Sequence, residues 1–93
     1  MSETIEEVRA RIDEMYERVQ EASYYELLEV DKDAGEKEVV KSFKKKAKTW
    51  HADRFSGYDL TAEDKDKLQE IFAAINSASQ TLQDPYKRAE YDF

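Results

Sequence analysis

Glu36-Lys37-Glu38-Val39-Val40-Lys41-Ser42-Phe43-Lys44-Lys45-Lys46-Ala47-Lys48-Thr49-Trp50, followed at once by His51-Ala52-Asp53, decides the fold. Val39, Val40, Phe43, Ala47 and Trp50 recur at helical spacing on one face. Lys37, Lys41, Lys44 and Lys48 step along the opposite face, a stripe about 16 Å long at 1.5 Å per residue. Such a helix has one wet face and one dry face, and the dry face needs a partner. Asp33-Ala34-Gly35-Glu36 supplies a start signal, with Asp33 as N-cap and Glu36 reaching back to it. The loop Arg54-Phe55-Ser56-Gly57-Tyr58-Asp59-Leu60 turns at its Ser-Gly pair. Beyond it, Thr61-Ala62-Glu63-Asp64 caps a longer helix whose seam is Leu68, Ile71, Phe72, Ile75, Ala78 and Leu82. The simplest partner for that seam is the Val39-to-Trp50 face, which predicts an antiparallel helical hairpin.

Outward from the hairpin, three shorter patterns complete the chain. Thr4-Ile5-Glu6-Glu7 reads as a capping box, and Ile5, Val8, Ile12, Met15, Val19 and Ala22 then follow as a heptad seam. That narrow stripe either folds back on the chain's own core or pairs with a second helix as a coiled-coil stub. Ser23-Tyr24-Tyr25-Glu26 is a second box and starts a short helix at Tyr24, with Tyr25, Leu28 and Val30 as its apolar contacts. Asp84-Pro85 ends the long helix and starts a final one, because proline suits the first helical turn. Tyr86 and Tyr91 are expected to anchor it.

Ninety-three residues suit one small unit, and charged residues and apolar residues each make up 40%. Two Gly and one Pro favour an all-α chain over a loop-rich sandwich. The absence of cysteine excludes disulfides, thiolate zinc sites and cysteine nucleophiles, and a single His cannot build a His-rich metal site. No apolar run spans a membrane, and Met1-Ser2-Glu3-Thr4 lacks a signal-peptide pattern, so a cytoplasmic protein is expected. The net charge is -7, yet residues 36–54 hold seven basic against three acidic side chains, a local +4 on an acidic body. This asymmetry suits steering toward one acidic partner surface.

The order of these pieces resembles a J domain, the cochaperone module of the DnaJ family. The resemblance rests on Tyr24-Tyr25-x-Leu27-Leu28 and the basic helix ending in Trp50-His51. It rests further on Ile75-Asn76-x-Ala78 and the closing Asp84-Pro85-x-Lys87-Arg88-x-x-Tyr91-Asp92. It covers residues 23–92, divides the chain into an N-terminal amphipathic helix (1–22) and a J domain (23–93), and makes the first helix an addition to the family pattern. It implies an all-α J-domain fold: a long hairpin, short flanking helices and the extra N-terminal helix. It also implies docking on a DnaK-type ATPase chaperone and regulation of its ATP hydrolysis. Lys44 and Lys45 match the usual basic pair, with Lys37, Lys41 and Lys48 on the same face. His51 and Asp53 match the ends of the His-Pro-Asp signature, and Ala52 and Arg54 complete the contact loop. No cofactor, metal or catalytic residue of its own is implied.

Three residues depart from the family pattern. Ala52 stands where proline is usual. Proline fixes φ and forces the helix to stop at His51, whereas alanine lets it run on for a residue or two and swings Asp53 by roughly 100° per added residue. Stimulation of the partner is therefore expected to be impaired or lost. The alanine is either native to a degenerate J-like module or a loss-of-function change in an otherwise active one. Glu29 stands where the short helix usually ends in glycine, at a cost under about 1 kcal/mol provided it avoids a positive φ. Lys46 stands where many members carry an apolar residue, and it either strains the hairpin or reaches solvent by snorkelling.

Each of these features also has a plainer reading. A lysine stripe is most often a solvated face, and a loop Asp most often caps backbone N–H groups. Nucleic acid is disfavoured by the low pI, near 4.7, and by the lack of aromatic residues among the lysines. No Ser/His/Asp or Cys/His set and no glycine-rich phosphate loop is present, so the chain is not read as an enzyme. The rival reading is an interaction module that self-associates through Ile5, Val8, Ile12, Met15 and Val19, with the rest as scaffold.

Overall fold

A computed structural model describes residues 3–93. Five α-helices follow one another: α1 (Ile5–Glu21), α2 (Tyr24–Leu28), α3 (Glu36–Trp50), α4 (Ala62–Gln83) and α5 (Pro85–Asp92), with a 3-10 turn at Ala52–Phe55 after α3. No strand occurs among the described residues, and none of their helices is long and apolar enough to cross a membrane.

Capping chemistry sets most of the helix starts. Thr4, Ser23 and Thr61 each accept the N–H of the residue three positions on, and Glu7, Glu26 and Asp64 reach back to the cap N–H. Asp84 ends α4 and caps α5, its carboxylate accepting from the N–H groups of Tyr86 (2.9 Å) and Lys87 (3.2 Å), with Pro85 in the first turn. The start of α3 differs from expectation. Gly35, not Asp33, is the N-cap, and no side chain caps it. The Ala34 N–H bonds back to the Asp31 carbonyl, Ala34 is buried, and the helix begins only at Glu36. Glu36 is thus the first helical residue, too early to reach back as the third residue of a box does.

Helix α4 is the hub, touching α1, α2, α3 and α5. Ile71, Ile75 and Ala78 are fully enclosed, with Leu68 and Leu82 beside them. The α3–α4 hairpin is antiparallel as expected, with the most extensive contact in the fold. On α3 only Val39 and Trp50 are buried, whereas Val40, Phe43 and Ala47 are half-covered.

Of the two outcomes open to the α1 seam, the structure shows packing on the chain's own core. Val8, Ile12 and Met15 are buried against the chain's own core, with Ile5 and Val19 packed at its edge. The seam is covered by α4, with Ile5 and Val19 partly buried at its edge. Charges tie the same interface: Arg9 Nε lies 3.0 Å from Asp64 Oδ2, and Lys67 Nζ lies 2.8 Å from Asp13 Oδ1. Burial of Asp64 raises the cost of its charge. The Thr61 hydrogen bonds and Arg9 outweigh that cost, and its pKa falls below the usual carboxylate value.

The final helix is held by fewer aromatics than expected. Tyr86 is exposed to solvent and anchors nothing. Tyr91 does anchor: its ring stacks on Tyr24 at 4.5 Å and its hydroxyl accepts from the Tyr24 N–H at 2.8 Å. Tyr25 supplies the rest, donating to Asp92 at 2.6 Å and accepting from Arg88 Nε at 3.2 Å. Arg88 also reaches the Lys32 carbonyl (2.8 Å), so α5 is tied to the α2–α3 loop.

Candidate functional site: the lysine face and the turn after α3

Lys37, Lys41, Lys44, Lys45 and Lys48 are all exposed along α3. Among the described residues none of them forms an ion pair with a carboxylate. Lys37, Lys41 and Lys44 line one shallow surface with Val40, and Lys45 flanks it on the side of Glu38 and Asp31. At the C-terminal end Lys48, His51, Asp53 and Arg54 line a second shallow surface. The structure therefore brings the last lysine of the stripe next to the contact loop. Cations near a helix C-terminus also oppose its dipole favourably.

The geometry of His51-Ala52-Asp53 corrects one expectation. Helix α3 stops at Trp50 although no proline follows, and it does not run on through Ala52. His51 is extended, with φ -67° and ψ 140°. Its Nδ1 accepts the Asp53 N–H at 3.2 Å, and its carbonyl accepts the Arg54 N–H at 3.0 Å, so His51 caps the 3-10 turn as well as ending the helix. Burial of Phe55 pulls the chain the same way, because continued helix would carry that ring out of the core. The intrinsic preference of one alanine is under about 1 kcal/mol, too weak to oppose these. The Asp53 side chain is 92% exposed and accepts no hydrogen bond from the described residues. A free carboxylate held on a tight turn suits bidentate contact with a partner guanidinium.

The other two departures meet each other. Glu29 adopts the left-handed conformation, φ 56° and ψ 47°, the strained state the expectation had set aside. That turn carries the Val30 N–H onto the Tyr25 carbonyl at 3.0 Å and closes α2. Its carboxylate lies 2.6 Å from Lys46 Nζ, and this hydrogen bond and charge hold Glu29 below the usual carboxylate pKa. Lys46 is thus neither free nor straining the hairpin: it turns away from the lysine stripe to pair with Glu29.

Phe55 and Arg11, which help set the turn, were not singled out from sequence, and Phe72 was read only as part of the long helix's seam. Phe55 is buried and stacks on Trp50, ring centroids 5.9 Å apart. Phe72 of α4 meets the His51 ring edge-on at 6.0 Å. Arg11 of α1 places its guanidinium 5.7 Å from the Trp50 ring centroid. The apolar residues of the loop, Phe55 and Leu60, were the available signal, and both are buried.

The chain is similar to known proteins over most of its length. The DnaJ domain family matches residues 23–92, and the chain belongs to that family. It is 41% identical over 69 residues to the chaperone protein DnaJ of Thermoplasma acidophilum, covering 74% of this chain and 17% of that protein. It is 46% identical over 71 residues to the chaperone protein DnaJ of a Chelativorans species, covering 76% of this chain and 17% of the relative. It is 33% identical over 88 residues to DnaJ homolog subfamily C member 3 of Gallus gallus, covering 95% of this chain and 17% of that protein. The chain thus spans about a sixth of the length of these relatives.

Proposed function

We propose that the chain is a DnaJ-type cochaperone module that docks on a DnaK-type ATPase chaperone, with stimulation of ATP hydrolysis impaired or lost through Ala52. Lys37, Lys41, Lys44, Lys45 and Lys48 steer the encounter, and His51, Ala52, Asp53 and Arg54 make the terminal contact. The observation that carries this reading is the continuity of the two parts. An unpaired lysine row runs into a turn that presents a free carboxylate, on a chain of otherwise acidic charge. Membership of the DnaJ domain family supports the choice of partner.

Because the turn forms without proline, Ala52 acts on the rigidity of the contact and not on its gross direction. Proline restricts φ and lacks an N–H; alanine leaves the turn a wider set of conformations to lose on docking. The test is single-turnover ATP hydrolysis by a DnaK-type chaperone, with this chain and its Ala52→Pro variant side by side. Stimulation by the Pro variant that exceeds that of the parent by about tenfold or more is expected. Equal stimulation by both would overturn the role given to Ala52, and no binding of either would overturn the docking reading.

A further inference from the structure

Arg11 lies on α1, outside residues 23–92, which match the family. Its guanidinium sits over the Trp50 indole, and Glu3 pairs with the same guanidinium. Trp50, the last residue of α3, is 7% exposed and stacks on Phe55, the ring planes 19° apart. Phe55 closes the 3-10 turn that carries Asp53. An unbroken series of contacts thus runs from α1 to the backbone under the Asp53 carboxylate.

Little else fixes that carboxylate. Its nearest charged or titratable neighbour is His51 Nδ1 at 3.6 Å, too long for a good hydrogen bond. Its direction therefore follows the backbone of the turn. With Ala52 at the turn's first position, φ is not locked as it is in proline. The conformation is held by the hydrogen bonds of Asp53 and Arg54 to His51 and of Ser56 to Asp53, and by the ring contacts of Phe72 with His51 and of Trp50 with Phe55. A cation over an indole face favours one ring orientation, and the orientation of Trp50 sets the seat of Phe55.

We propose that Arg11 is a positioning residue for His51-Ala52-Asp53: by holding Trp50 it keeps Phe55 seated, and so keeps the turn in one conformation without proline. The extra helix is in this sense a brace for the contact loop. The consequence for docking rests on the function proposed above, whereas the effect on the turn does not depend on any partner.

Amide hydrogen exchange on the full chain tests the brace directly, using the parent, Arg11→Gln and Arg11→Lys. Three amides report the turn: Asp53 and Arg54, both bonded to His51, and Ser56, bonded to the Asp53 carbonyl. Arg88 in α5 and Phe93 at its C-cap serve as the distant reference. Arg11→Gln should speed exchange of the turn amides about two- to fivefold and leave α5 unchanged, the range expected of a partly exposed cation–π contact. Arg11→Lys, which keeps the cation, should restore most of the protection. Unchanged turn amides, or equal acceleration in α5, would overturn the positioning role. A second readout is affinity for an ATP-bound DnaK-type chaperone, with Arg11→Gln placed in the parent and in the Ala52→Pro background. The loss should be about two- to fivefold in the parent and clearly smaller with proline, which braces the turn by itself. Equal loss in both backgrounds would also count against the brace. Failure of all four proteins to bind would sink the docking reading, and the exchange data would then decide the brace alone.

Discussion

The α1–α4 interface and the α3 lysine face carry similar numbers of charges and use them in opposite ways. At α1–α4, Arg9 meets Asp64 and Lys67 meets Asp13, each pair lying over a dry seam of Val8, Ile12 and Ile71. Along α3, five lysines point outward with no carboxylate paired to them. Paired charges on an apolar seam fix how two helices of one chain sit together. Unpaired charges on an exposed face add little to the fold and act at longer range, on whatever approaches. Lys46 marks the border between the two uses, since it stands in the lysine helix but is paired with Glu29 inside the chain.

The comparison breaks most easily at the apolar seam. Ile12 is fully buried, and Ile12→Ala should cost roughly 2–5 kcal/mol in unfolding free energy, read from the shift of the denaturant midpoint. A loss below about 1 kcal/mol would mean that α1 is only loosely applied to α4. Reversal of Lys41, Lys44 and Lys48 to Glu should do the opposite. Affinity for a DnaK-type chaperone should fall at least about tenfold at low salt, with the midpoint moved little, as for most surface changes. Unchanged affinity at low salt would remove the contrast.

Asp64 sharpens the comparison through pH. Its native pKa is lowered, so the stability its charge contributes is fully present above the unfolded value near 3.8 and is lost as pH falls through the lower native value. Asp64→Asn should therefore destabilise by about 1–3 kcal/mol at pH 7 and by much less once the parent's own carboxyl is protonated. Urea titrations in a series from pH 7 downward, carried past the native titration of Asp64, measure both. A penalty that does not shrink in acid would assign it to shape and not to charge. The smallest effect belongs to Glu29 and Lys46. Glu29→Gly relieves the left-handed strain, about 1 kcal/mol, but gives up an exposed ion pair of under about 1 kcal/mol, so the net change should be near zero. In a Lys46→Met background only the relief remains and the variant should gain close to the full amount. Equal effects in the two backgrounds would show that the ion pair contributes nothing.

Most of the local structure was legible in the sequence, for a physical reason. A capping box is a short-range device, and Thr4, Ser23, Thr61 and Asp84 perform as their neighbours require. Apolar residues at three- and four-residue steps likewise announce a face that must be covered, as Ile71, Ile75 and Ala78 are. The lysine row was equally visible, because exposure is the ordinary state of lysine. The misreadings concern places where a local rule met a distant contact. Alanine alone would extend α3, yet buried Phe55 and the His51 cap end it. Tyr86 was as plausible an anchor as Tyr91, and only the position of Tyr24 separates them.

By itself the sequence determined the helices, their order, the hairpin and the basic face, since each depends on spacing within a few turns of chain. The tertiary structure alone decided what covers the first helix, where Lys46 finds its partner, and what holds the turn at Asp53. Those outcomes depend on Arg11 meeting Trp50 and on Glu29 meeting Lys46, pairs far apart in the chain that become neighbours only after the helices have packed.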